Sequence, residues 1–162
     1  MRDLGPAEHF VAGALGEPGS RHFYLQITAG GETVWLHAEK QQVSALGSQC
    51  LTLLNAADIT PDVEAVANLK EELVLSEPGE ELFAVGEIEL AVLESEMIAV
   101  SVTSSEDTET TIRFLVAPEQ IQAMAEVALD VVAAGRPICP FCHLPEDPGG
   151  HRCPASNGHH AE

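Results

Sequence analysis

"RHFYLQITAGGETVWLHAEKQQVSALGSQCLTLL", residues 21–54, changes period part-way along, and that change decides the fold. In "RHFYLQIT" the residues Phe23, Leu25 and Ile27 fall on one side and Tyr24, Gln26 and Thr28 on the other. A period of two marks a half-buried antiparallel strand. "AGGE" at 29–32 is the turn that follows it, and His37 lies in a strand beyond that turn. From Lys40 the apolar residues Val43, Leu46, Cys50, Leu53 and Leu54 recur at spacings of three and four, the stripe of a helix.

The second half of the chain follows the same scheme. "GEIELAV" sets Ile88, Leu90 and Val92 against Glu87, Glu89 and Ala91, and "MIAVSV" groups Ile98, Val100 and Val102. "SSEDTE" at 104–109 is a turn. A helix then runs from Pro118 through Ile121, Met124, Ala128, Val131 and Val132, with Pro118 suited to its first turn and Gly135 to its stop. "KQQV" at 40–43 lies over "PEQI" at 118–121, and the five apolar helix positions then match one for one. "FVAG" at 10–13 is set over "FAVG" at 83–86, each opening a strand.

The expected fold is therefore α+β: two β-β-β-α halves sharing a core, with antiparallel sheets and a C-terminal zinc-binding appendix. A three-stranded sheet with one helix buries a single face, so two copies have reason to associate. The halves are placed at about 8–57 and 80–135 within a duplicated domain over 1–135, joined by a linker over 58–79. Helical character at Asp62 to Leu73, behind Pro61, makes this linker partly helical and solvent-facing.

The length of 162 residues, a hydrophobic fraction of 45% and a mean hydropathy of +0.07 describe one globular unit. No apolar run approaches the roughly 20 residues needed to span a bilayer, and the N-terminal stretch lacks the shape of a signal sequence. A cytoplasmic protein is expected. The formal charge is −19, and between Ala56 and Val131 only Lys70 and Arg113 are basic. Such a surface repels phosphate backbones, which makes nucleic acid an improbable partner.

The metal-capable residues gather at the end. "CPFC" places Cys139 and Cys142 on one tight turn, "EDPGG" at 146–150 reverses the chain, and "HRC" brings His151 and Cys153 back. Thiolate and imidazole are zinc's preferred ligands, and structural sites close with four of them. The expected site is Cys139, Cys142, His151 and Cys153 around one structural Zn2+, with His143 or His159 as alternates to His151. His160 reads as a solvated tail residue. A redox pair is the competing reading of C-x-x-C. With four protein ligands no coordination position stays open for water or substrate, which argues against a zinc hydrolase. Cys50 sits on the apolar helix face and reads as a core residue.

Other candidates are weaker. In "GEPGSR" at 16–21, Gly16 and Gly19 could let backbone amides approach an anion with Arg21 adding charge, although a plain hairpin turn uses the same residues. No G-K-[ST] follows, so it is not a P-loop. His22 and His37, both in strands, would form an acid–base pair if a carboxylate stood beside them.

"FVAGALGEPGSRHFYLQ", "EKQQV", "FAVG" and "VVAAGRPICPFCHLPEDPGGHRCPASNGH" together resemble the actinobacterial-type repeat-protein family known as domain of unknown function 3090. The resemblance covers nearly the whole chain. Its terminal pattern, C-P-x-C-G-x-P-x-D-P-x-G-H-x-C-P-R-x-N-G, places Cys139, Cys142, His151 and Cys153 on the metal-capable positions and Asn157-Gly158 on the closing pair. Two residues depart from it: His143 stands where the pattern has glycine and Ala155 where it has arginine. The resemblance implies no defined activity. The leading expectation is a zinc-stabilised, non-enzymatic binding or adaptor protein acting on a partner protein or small ligand, with no membrane involved. One alternative is single-stranded nucleic-acid binding, from an architectural likeness to Pur-alpha and Whirly folds; another is an enzyme of phospho-metabolite chemistry using Arg21.

Overall fold

The computed structural model of the chain describes residues 1–16, 21–75 and 79–134. Its elements are β1 (Arg2–Pro6), β2 (His9–Leu15), β3 (His22–Ala29), β4 (Glu32–Ala38), α1 (Lys40–Ala56), α2 (Val63–Glu72), β5 (Glu81–Val92), β6 (Ile98–Ser104), β7 (Thr111–Val116) and α3 (Pro118–Ala134). The α+β class and the two strand–strand–strand–helix runs stand as read from the sequence; the helix read at Asp62 to Leu73 is α2, and β1 is added to them.

One mixed sheet replaces the expected antiparallel sheets. Its strand order is β1-β7-β6-β5-β4-β3-β2. β2–β3, β3–β4, β5–β6 and β6–β7 pair antiparallel, but β4–β5 and β1–β7 pair parallel. The physical reason is connectivity. After β4 the chain crosses through α1 and α2 before it re-enters the sheet, and such a crossover delivers the next strand in the same direction.

The two edges of this sheet are one stretch of chain. β1 and β2 are separated only by Ala7 and Glu8; Ala7 N donates to the Leu115 carbonyl of β7 at 2.8 Å, and Glu8 N to the Thr28 carbonyl of β3 at 2.7 Å. The sheet must therefore curl until β7 and β3 both reach that strand. The Phe10 and Phe114 rings, from β2 and β7, meet edge to face across the seam, with centroids 4.9 Å apart. The concave side holds the core, where Leu25, Ile27, Leu36, Val100, Val102 and Ile112 join Leu46 and Cys50 of α1 and Ile121 and Met124 of α3 in one cluster.

Both long helices begin with the same device. Gln42 accepts from Glu39 N at 2.8 Å and donates to the Val85 carbonyl at 2.8 Å. Gln120 accepts from Ala117 N at 2.7 Å and donates to the Ala7 carbonyl at 2.9 Å. The spacing in the chain that separates Gln42 from Gln120 also separates Ala7 from Val85. Each helix cap thus clamps a strand of the opposite half, at the bend between β1 and β2 in one case and at a bulge in β5 in the other.

That geometry corrects the strand alignment. By the helix spacing, Gly86 corresponds to Glu8, not to Gly13 as "FVAG" over "FAVG" requires. The two glycines serve different needs. A Cβ on Gly13 would sit 3.0 Å from Leu75, which crosses over β2, whereas one on Gly86 would sit 2.9 Å from the Ser104 carbonyl oxygen and the Ser105 Cα.

The linking stretch also differs from its expected solvent-facing state. Asp62 caps α2 by accepting from Ala65 N at 3.0 Å. The helix packs on α3, and Val66 and Leu73 are buried in the common core. Its three exposed glutamates, Glu64, Glu71 and Glu72, hide this one-sided apolar stripe from a reading of composition.

Candidate functional site

Three helices position an apolar cleft. The C-terminal part of α1, the Ile59–Pro61 turn, α2 and the first half of α3 enclose about 510 Å³, lined by apolar side chains that include Leu51, Leu54, Ile59 and Val66. At one side Lys70 Nζ lies 3.2 Å from Glu126 Oε1, and Gln122 Nε2 donates to Glu126 Oε2 at 2.8 Å. Both charged side chains are about one-third exposed, so the pair is a positioned polar patch more than a source of stability. An apolar hollow of roughly 300–1,000 Å³ with a few fixed polar groups is the form of a small-ligand site. Sequence reasoning missed this cleft. Its one legible signal was Lys70, isolated in an acidic segment.

The residues singled out in the sequence are placed as follows. Arg21 NH1 donates to the Val131 carbonyl in the last turn of α3 at 3.0 Å, and its guanidinium lies 5.2 Å from the Phe23 ring centroid. The charge sits at a helix C-terminus, where a cation is favoured. Gly16 ends β2 with φ of 102°, and Gly19 lies outside the described residues. His22 and His37 do come together, with ring centroids 6.1 Å apart, and Tyr24 contacts both His37 and Trp35. Among the described residues neither histidine is hydrogen-bonded to a carboxylate, so the acid–base pairing lacks its third member.

Cys50 is fully buried, and burial pushes its thiol up to about 12. It is an inert core residue at neutral pH. Asp107, in the turn between β6 and β7, accepts from Thr110 Oγ1 at 2.7 Å and from Glu109 N at 3.0 Å, contacts that hold its carboxyl below the usual range. Cys139, Cys142, His143, His151, Cys153 and His159 all lie outside the described residues. Among the described residues no group of three or more His, Cys, Asp or Glu side chains could hold a metal ion, so the metal reading rests wholly on the tail. No helix of the described residues is long and apolar enough to cross a membrane.

The family model described as "Protein of unknown function (DUF3090)" matches residues 3–153. The chain belongs to this family. The DUF3090 match starts inside β1 and ends on Cys153, so it spans the four positions expected to bind zinc. No curated protein and no solved structure matches the chain.

Proposed function

We propose that this protein is a zinc-stabilised binding protein that acts without catalysis, taking a small, largely apolar ligand with one polar end in the α1–α2–α3 cleft. The cleft carries this reading: an apolar hollow of about 510 Å³ with Lys70, Glu126 and Gln122 fixed at one side. Glu126 has both carboxylate oxygens engaged, which suits it to orient a ligand more than to remove a proton. Lys70 retains donors for a ligand acceptor.

Cys139, Cys142, His151 and Cys153 close the tail around one zinc, and closure with four protein ligands leaves the metal a structural role. The spacing of these residues, C-x-x-C followed by H-x-C across a Pro-Gly turn, carries this reading. The exposed side of β5 presents Glu87 and Glu89, and Arg113 on β7 is held by Asp3 at 3.3 Å. Neither feature gathers phosphates, so a nucleic-acid role on the sheet finds no support. Arg21 is engaged at the end of α3 and contributes little to a phospho-ligand reading.

Small amides such as benzamide serve as probes, followed by NMR of the full chain. Shifts are expected at Leu51, Leu54, Ile59 and Val66 with a dissociation constant of about 1 mM, typical of a weak fragment. Ala67→Trp, made at an exposed position lining the cleft, should weaken binding at least about tenfold by filling it. Shifts scattered over the surface, or unaltered by Ala67→Trp, would refute the cleft.

A further inference from the structure

α2 has no counterpart on the other half of the described molecule, and the surface it would cover there is built to be covered. By the spacing that relates the two helix caps, Ala45 of α1 corresponds to Ala123 of α3, and Ile88 and Leu90 of β5 correspond to Phe10 and Ala12 of β2. Ala123, Phe10 and Ala12 are buried, at 0%, 1% and 0% exposed. Ala45 is exposed, and Ile88 and Leu90 are only half-buried. α3 packs closely against β2, whereas α1 stands off from β5. The gap is a groove of about 430 Å³ between Leu90 and the Ser48, Gln49, Thr52 and Leu53 side of α1.

Charge sets this surface apart. After Lys40, α1 carries no ionisable side chain but buried Cys50, in a chain with 20% charged residues. Its exposed side includes Gln41, Ala45, Ser48, Gln49, Thr52 and Ala56. α3, by contrast, carries Glu119, Glu126 and Asp130. Depletion of charge beside half-buried apolar groups is the composition of an interface centre.

The chain itself supplies an occupant. α2 follows α1 and covers α3; the last 28 residues, 135–162, follow α3. By the same spacing the stretch equivalent to α2 is 141–150, "FCHLPEDPGG", which carries Phe141 and Leu144. We propose that residues 141–150 dock on the α1–β5 groove as α2 docks on α3. Leu144, the equivalent of buried Val66, then lies against Leu53 and Leu90, and Phe141, the equivalent of exposed Val63, at the groove's edge. The fold then closes both halves in the same way, with a helix over one and the metal clip over the other. The zinc expected in the tail holds the docking stretch in shape in place of helical hydrogen bonds.

The test uses the full chain, with a photoreactive benzoylphenylalanine in place of Phe141 and, separately, of Leu144. Irradiation should give adducts within one chain, on residues 48–56 of α1 and 88–92 of β5. Ser48→Arg with Thr52→Arg, both at exposed positions, should cut the yield at least about fivefold by adding charge to the groove. Adducts on α3 or β2, adducts joining two chains, or none at either position would each overturn the proposal; the last two would leave the groove to a second copy or a foreign partner. Zinc counted on the same samples separates this outcome from the metal reading, because a loaded clip without adducts refutes the docking alone.

Discussion

Phe114→Ala should lower unfolding stability by about 3–5 kcal/mol, the cost of removing a large aromatic side chain from a closed core. Phe114 is 0% exposed on β7, and its ring meets Phe10 of β2 edge to face. These two residues sit where the sheet's edges converge on one strand, so the cavity opens at the seam and little can collapse into it. Loss of the ring pair itself adds about 0.5–1.5 kcal/mol to the burial that is forfeited. Urea unfolding of the full chain, compared with Leu82→Ala, checks this. Leu82 is 44% exposed, and its truncation should change stability by no more than about 0.5 kcal/mol. If Phe114→Ala cost under about 1 kcal/mol, the closure of the sheet through β1 and β2 would be wrong.

Gly86→Ala should cost about 2–3 kcal/mol, an unusual penalty for adding one methyl group. The added carbon would stand 2.9 Å from the Ser104 oxygen and 2.9 Å from the Ser105 Cα, both backbone atoms. No rotamer change relieves that contact; β5 or the β6 end must move. Movement there also strains the bonds that pin the bulge, Ser105 N to the Ala84 carbonyl at 2.9 Å and Gln42 Nε2 to the Val85 carbonyl at 2.8 Å. The same denaturation measurement applies, and a Gly86→Ala protein of unchanged stability would contradict the tight approach of β5 to the Ser104–Ser105 corner.

Much of this fold was legible because its signals are local. The helix caps at "KQQV" and "PEQI" mark the starts of α1 and α3, and alternation in "RHFYLQIT" marks β3. What escaped reading depends on contacts between distant segments. "RDLGP" has neither alternation nor length, and becomes β1 only because β7 offers it a parallel partner. The two "G" motifs look alike, yet one glycine makes room for Leu75 and the other for a neighbouring backbone, a difference no single sequence displays. The cleft is assembled from α1, α2 and α3, and only the fold brings Lys70 to Glu126, distant in the chain, and Gln122 beside it. The proposed zinc ligands are the reverse case: Cys139, Cys142, His151 and Cys153 are close in sequence, so the proposal stands on their spacing and chemistry alone.

Zinc content is the measurement that bears most directly on the account. Protein purified without a histidine tag or chelator should carry about one zinc per chain. Cys139→Ser with Cys142→Ser should bring that to about zero while the seven-stranded sheet stays folded. Natural-sequence protein that is folded and free of zinc would contradict the account, as would zinc retained in full by the double serine variant.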